Sequence, residues 1–304
     1  MITLTQESLN YPKSLHNIKN APHELYVEGN IKCFDLPCVT VVGSRNMSEY
    51  GKTMTRKIVK ELVDAGVCIV SGLAVGIDTI AHETCLENGG RTIAVLGSGL
   101  NKVFPRENID LFNRIVNSGG CVMSEQLPDE DVKKEYFPAR NRIVSGLSVA
   151  TLVIEAAYRS GTSITARCAF EQGKKVFCIP NSIGSKNSEG TIKLLKKGAT
   201  IITEGKEILY ELGLLEKLDD YDDFVEQQKL SKASTLENEQ LESLDEETIK
   251  VYEYIKENKI ANSEIMCNIL NLNAQSLNTH LTILELKGLI LCRSGGNYVF
   301  NEIV

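Results

Sequence analysis

Tryptophan is absent from the 304 residues, and histidine occurs only four times. Without an indole, any aromatic platform has to come from the 8 phenylalanines and 10 tyrosines. His16, His23, His82 and His280 show no ligand spacing, so a zinc site has no basis in the sequence. The nine cysteines are an odd number and contain no C-x-x-C pair; Cys68, Cys121, Cys178 and Cys292 sit inside apolar runs that read as strands. They read as small buried hydrophobes in a reducing compartment, not as a disulfide framework. No run approaches the roughly 20 apolar residues of a spanning helix, and the start MITLTQESLNYPKSL lacks the basic-then-apolar order of a signal peptide. A cytoplasmic protein without a membrane span is expected. Neither G-x-G-x-x-G nor G-x-x-x-x-G-K-[ST] occurs, so NAD and Walker-type ATP sites lack support and no cofactor is expected.

Hydrophobic residues make up 42% and charged residues 24% of the chain, a globular composition long enough for two domains. The net charge of −7 is unevenly spread. Residues 211–250 hold 13 acidic and 4 basic side chains, and the rest of the chain holds 27 and 29. The total therefore does not exclude an anionic partner.

From Val39 onward, short β-branched runs alternate with amphipathic helical stretches. That alternation predicts an α/β fold, a doubly wound, mostly parallel sheet with at least six strands and helices on both faces. The strands are VTVVGS, VCIVSG, RTIAVLGSGL, CVMSE, ATLVIEAA, VFCIPNS and ATIIT, with an irregular stretch between CVMSE and ATLVIEAA. Ser48 caps a helix carrying Met54, Ile58, Val59, Leu62 and Val63, and Gly66 stops it. The expected division is an N-terminal extension over 1–38 packing on the core, a core over 39–213, an acidic linker over 214–243 and a small C-terminal domain over 244–304. Asp219, Asp220, Asp222 and Asp223 followed by polar residues give the linker its character. The last segment reads as three helices and a hairpin turning at 294–297, the plan of a winged helix. Its third helix offers Asn273, Gln275, Ser276, Asn278, Thr279, His280 and Thr282, with Lys287 only at the end. Duplex binders neutralise several phosphates with Lys and Arg, so a protein contact or weak DNA binding fits this helix as well as sequence reading does.

Glycine and small hydroxyl residues gather at strand ends: Gly43-Ser44, Ser71-Gly72, Gly97-Ser98-Gly99 and Ser160-Gly161-Thr162. There the backbone can approach a ligand, and first-turn amides favour an anion. Tight strand-to-helix turns alone would explain any one of them. Arginines stand nearby: Arg45 directly after the first loop, Arg140 and Arg142 in FPARNR, and Arg159 before Ser160. Their planar, permanently charged forks suit phosphodiesters, although each could also be a solvated surface arginine. Asp78, Glu125 and Glu155 are candidate acids without a second titratable partner at a telling spacing. Asp78 reads equally as a helix cap, and Glu155 as an arginine partner.

Taken together, the strings VVGSRNMSEYG, VSGLAVGIDTIAH, TIAVLGSGLNKVFPREN, SEQLP, FPARNRIVSGLS, VIEAAYRSGTSITA and EGTIKLLKKGA resemble the DNA-processing protein A (DprA/Smf) family, in order from Val41 to Ala199. The upstream YPKSL and LYVEGN match as well. The resemblance implies a Rossmann-like core that binds and protects single-stranded DNA and helps load the RecA recombinase in natural transformation. It implies a homodimer through the core, a C-terminal winged helix and no catalysis. Carried over by motif, the strand would lie against Gly43, Ser44 and Arg45, then Phe137, Arg140, Asn141 and Arg142, with Ser160, Gly161 and Thr162 as backbone or hydroxyl contacts. Phe137 is the expected stacking residue, with Tyr50 and Phe104 as alternatives. Asn181 stands where the family has Gly and Ile192 where it has Asn, which weakens that loop's expected part in the pocket. The helical domain that many members carry ahead of the core is not expected here. Two rivals remain open: a nucleotide sensor with the C-terminal domain as its output, and a nucleotide N-glycosidic hydrolase, which lacks its carboxylate in SGTSITAR.

Overall fold

The computed structural model describes residues 1–158, 160–215, 244–258, 260–293 and 296–300. The chain divides into two compact units, Met1–Glu216 and Lys217–Val304. Of the expected acidic linker only residues 214 and 215 fall within the described residues.

The strands of the first unit are β1 (Ile2–Thr5), β2 (Glu24–Gly29), β3 (Cys38–Val42), β4 (Cys68–Ser71), β5 (Thr92–Leu96), β6 (Cys121–Ser124), β7 (Ala150–Val153), β8 (Lys175–Cys178) and β9 (Thr200–Ile201). Its helices are α1 (Glu49–Asp64), α2 (Ile77–Glu87), α3 (Ile109–Asn117), α4 (Tyr136–Gly146), α5 (Gly161–Glu171), α6 (Glu189–Leu195) and α7 (Gly205–Glu211). One nine-stranded sheet runs β1-β2-β6-β5-β4-β3-β7-β8-β9. From β6 to β9 all neighbours are parallel, and β1 and β2 extend that edge antiparallel. This is the mostly parallel, Rossmann-like α/β sheet, with β1 and β2 drawn from the first 38 residues into the sheet itself.

The central strands are buried on both faces, as parallel sheets require. In β3, Val39 and Val41 pack with Ile58, Val59 and Leu62 of α1, while Cys38 and Val42 face the opposite core with Ala166 and Ala169 of α5. Helix α3 lies on the α1 side, burying Leu111, Phe112 and Ile115 against Ala94, Leu96 and Val122. Six of the nine cysteines are buried, and all nine are free thiols. The Ser48 side chain accepts from Gly51 N at the start of α1, and Gly66, at φ +78°, follows its end. The irregular stretch before β7 contains α4, which buries Ile143 and Val144 and brings Gly146 against Leu15 and Ile18.

In the second unit, α8 (Glu246–Asn258), α9 (Ser263–Ile269) and α10 (Ala274–Leu286) accompany β10 (Ile260–Asn262), β11 (Ile290–Arg293) and β12 (Asn297–Phe300), an antiparallel sheet in the order β10-β12-β11. Val251, Tyr252, Ile255, Met266, Leu277, Leu281 and Leu284 form its core. The expected hairpin thus gains a third strand; Ser294 and Gly295 of its turn lie outside the described residues. His280 does not face outward: it is buried, with Nδ1 2.7 Å from Thr248 Oγ1.

Candidate functional site

β3 leads through α1 to β4 on one side, and its neighbour β7 leads through α5 to β8 on the other. The two chains therefore part at adjacent strand ends, and such a switch point opens a crevice at the carboxyl edge of the sheet. A cavity of about 710 Å³ lies there. Nine of the ten residues expected to form the site line it: Gly43, Ser44, Arg45, Phe137, Arg140, Asn141, Ser160, Gly161 and Thr162. Arg142 does not.

The loop after β3 is held from three sides. A Cβ on Gly43 would stand 2.5 Å from Ile77 Cγ1, so only glycine permits this approach to α2. Ile77 N donates to Ser44 O at 3.2 Å, and Thr162 Oγ1 donates to Gly43 O at 2.9 Å, tying the loop to the start of α5. Ser44 Oγ donates to Asn187 Oδ1 at 3.3 Å and accepts from Asn46 N at 3.2 Å. Ser160 caps α5 through Ser163 N, and the first amides of α5, at Gly161 and Thr162, face no intrahelical acceptor. These groups form a rigid rim presenting partial positive charge.

Arg45 is exposed, its guanidinium carbon 6.0 Å from the centroid of Phe137. The Phe137 ring in turn lies 5.6 Å from Phe104, tilted by 56°. A Cβ on Gly97 would come within 2.8 Å of Phe137 Cδ1, so that glycine makes room for the ring. Cation and aromatic faces thus stand in one layer at the mouth.

Arg140 is different. Its head is buried and donates to Gly72 O at 2.7 Å, to Val95 O, and to Asn141 Oδ1 at 3.4 Å. Asp78 Oδ2 accepts from Gly72 N at 3.1 Å. A Cβ on Gly72 would stand 2.7 Å from an Arg140 amino nitrogen and 2.8 Å from Asp78 Oδ2, which places the two charged groups around one glycine. Burial pushes the Asp78 carboxyl up, against the pull of Arg140, and lowers Arg140 to about 10. Desolvation outweighs mutual attraction for both partners, yet at about 10 the guanidinium remains charged at neutral pH. Arg140 joins the ends of β4 and β5 through Nη1, and its Nη2 stands beside Gly72.

Arg142 points elsewhere, with Nη2 2.5 Å from Glu125 Oε1 and Nε 2.8 Å from Asn20 O. Glu125 is thereby accounted for. Glu155 pairs with no arginine among the described residues: its carboxylate accepts from Ser48 N at 3.0 Å, Ser48 Oγ, Asn187 Nδ2 at 3.1 Å and Asn181 Nδ2 at 3.4 Å. Asn181 thus binds this buried carboxylate and stays out of the cavity wall, as does Ile192. Arg159 lies outside the described residues. Lys134, in the turn just ahead of α4, lines the cavity and escaped the sequence reading, although the doubled lysine of VKKEYF is its signal. Asp78 is the single carboxylate among the described lining residues. No group of three or more His, Cys, Asp or Glu among the described residues could hold a metal ion, and no described helix is long and apolar enough to cross a membrane.

With this geometry in place, residues 2–213 match the family model for DNA recombination-mediator protein A. The chain belongs to that family. Protein Smf of Escherichia coli is 46% identical over 202 residues, covering 66% of this chain and 54% of that protein. DNA processing protein DprA of Streptococcus pneumoniae is 45% identical over 201 residues, covering 66% and 71%. The chain spans about half the length of the Escherichia coli and Synechocystis Smf proteins, 54% and 55%. The X-ray structure of Streptococcus pneumoniae DprA superposes with a TM-score of 0.66 at 41% identity, covering 69% of this chain and 74% of that one. A solved structure of Helicobacter pylori DNA processing protein A, which concerns its single-stranded DNA binding mode, gives 0.63 at 32% identity, covering 69% and 95%.

Proposed function

We propose that the cleft at the β3/β7 switch point holds single-stranded DNA without cleaving it. In this reading the chain is a cytoplasmic, non-enzymatic DNA-processing protein. It protects incoming strands and helps load RecA in natural transformation and homologous recombination, as a homodimer through its core over 39–213. The 244–304 unit, three helices on a small antiparallel sheet, is read as a winged helix joined by an acidic linker. Gly43, Ser44, Ser160, Gly161 and Thr162 supply the rim, Arg45 the phosphate fork, and Phe137 a stacking face.

The observation that carries this reading is Arg45 over Phe137 opposite the first turn of α5: a cation with no ion pair among the described residues, an aromatic face, and first-turn amides without an intrahelical acceptor around one cavity. Base stacking on an aromatic is worth roughly 1–3 kcal/mol per base and tolerates any sequence. The Helicobacter pylori relative, described for its single-stranded DNA binding mode, supports the same ligand. Arg140 and Asn141 enter as wall and scaffold, and Arg142 as a helix anchor outside the cleft. Asp78 accepts from Gly72 N and stands with Arg140 around one glycine, so in this reading it braces the turn after β4.

The test is a titration of wild type and Arg45→Ala with a thymine oligomer and with its duplex. A hydrogen bond to a charged group contributes about 1.5–3 kcal/mol, so the variant should bind the oligomer roughly 10- to 150-fold more weakly. The salt slope should fall by about 0.7 for the lost phosphate contact. Equal affinity of the two proteins would remove Arg45 from the site, and base released from nucleoside monophosphates would favour the hydrolase instead.

A further inference from the structure

A second groove, of about 690 Å³, runs between α5 and α6. Ser160 and Ile164 line both this groove and the first cleft, so the two meet over the start of α5. Among the described residues three cations border it: Arg167 of α5, Lys193 of α6, and Lys197 just beyond the end of α6. Lys193 Nζ lies 4.7 Å from the centroid of Tyr158, a half-exposed ring at the groove's edge. Glu171, the one acid among the described lining residues, stands 3.7 Å from Arg167 Nε. Leu194 and Phe170 give the groove an apolar floor. Cations, an exposed aromatic and an apolar floor in a line are the elements of a track for a flexible polyanion whose bases are unpaired.

We propose that this groove is the next stretch of the single strand's path. A strand seated in the first cleft crosses Ser160 and the start of α5, laying its following phosphates against Lys193 and Lys197 and a base beside Tyr158. This rests on the single-strand reading of the first cleft and adds the direction in which the polymer leaves it.

The test compares wild type, Lys193→Ala/Lys197→Ala and Arg45→Ala in fluorescence polarisation with thymine oligomers of about 4 to about 16 nucleotides, the usual span of single-strand sites. Both lysines are exposed, so the double variant keeps the fold. It should match wild type on the shortest oligomer that binds, yet gain little affinity as the oligomer lengthens. Its salt slope on the longest oligomer should fall by about 1.4, or about 0.7 for each of two lost contacts. An unchanged gain with length and an unchanged slope would overturn the proposal. So would a weakening equal at every length, or an unchanged gain together with dissociation of a wild-type dimer in sedimentation, which would assign the groove to a second copy of the chain. Arg45→Ala separates the two readings: it should weaken every length, and if it weakens none the first cleft fails, whatever the lysines do.

Discussion

Removing Arg140 should damage the fold far more than it damages any direct contact with DNA. The variant Arg140→Ala leaves Gly72 O and Val95 O without their donor and leaves Asp78 buried beside no cation. Breaking a buried charged network by deleting one partner costs about 3–5 kcal/mol. For a unit of this size each kcal/mol moves the melting temperature by about 2–4 °C, so the loss should be roughly 6–20 °C by calorimetry. Combining Arg140→Ala with Asp78→Asn should recover about 0.5–3 kcal/mol of the summed losses, because the stranded carboxylate is then gone. The pH dependence has a definite sign. Burial already raises Asp78 and Arg140 opposes the rise, so deleting Arg140 raises it further. A carboxyl whose folded pKa lies above its unfolded value binds its proton more readily in the fold, and its penalty shrinks as pH falls. The deficit of Arg140→Ala should therefore be smaller at pH 5 than at pH 8. A variant that melts with wild type, while losing as much oligomer affinity as Arg45→Ala, would refute this argument and make Arg140 a ligand group.

His82 offers a second pH test. Its Nδ1 lies 2.7 Å from Thr92 Oγ1, whose own proton goes to Ile69 O, and its Nε2 is buried without a partner among the described residues. Burial, then the charge of Arg140, lowers it to about 3 from 6.5, so the unfolded chain takes up a proton that the fold refuses. Stability is thus full above about pH 6.5 and should fall by about 1.4 kcal/mol per unit below it; His82→Asn should lose that component of the slope in urea titrations, and an identical slope would show that the ring protonates in the fold. Arg142→Ala should bind the thymine oligomer as wild type does while melting a few degrees lower, since its guanidinium holds Glu125 and Asn20 O outside the cleft; a loss of affinity comparable with that of Arg45→Ala would return it to the site.

The parallel strands were legible because each central run is β-branched and buried on both faces, a signal carried by single residues. Helix α4 was not, because Pro138 near its start and the buried polar pair Arg140 and Asn141 interrupt the apolar period that marks a helix. Its helical pattern is completed by partners far away in the chain: Leu15 and Ile18 against Gly146, and the strand ends against Arg140. Strands β1 and β2 escaped for a related reason. They are short, outer strands of mixed polarity; β1 pairs with β2, and the register of β2 against β6 depends on a pairing across more than ninety residues.

The site shows the same boundary more sharply. Arg45, Arg140 and Arg142 are one residue type near the same strand ends, and composition treats them alike. Their separation into a free cation, a buried brace and a peripheral anchor follows from strand order. β3 ends at the switch point beside the cavity, so Arg45 in the loop that follows it projects over an opening and stays exposed. Arg140, on the inward face of α4, meets the carbonyl ends of β4 and β5, whose acceptors are satisfied only if the side chain is drawn inside. Two residues on, Arg142 has turned about 200° around the helix and finds Glu125 instead. Motif spacing identifies which loops meet; it does not say which charge remains available once buried carbonyls and carboxylates have taken their partners.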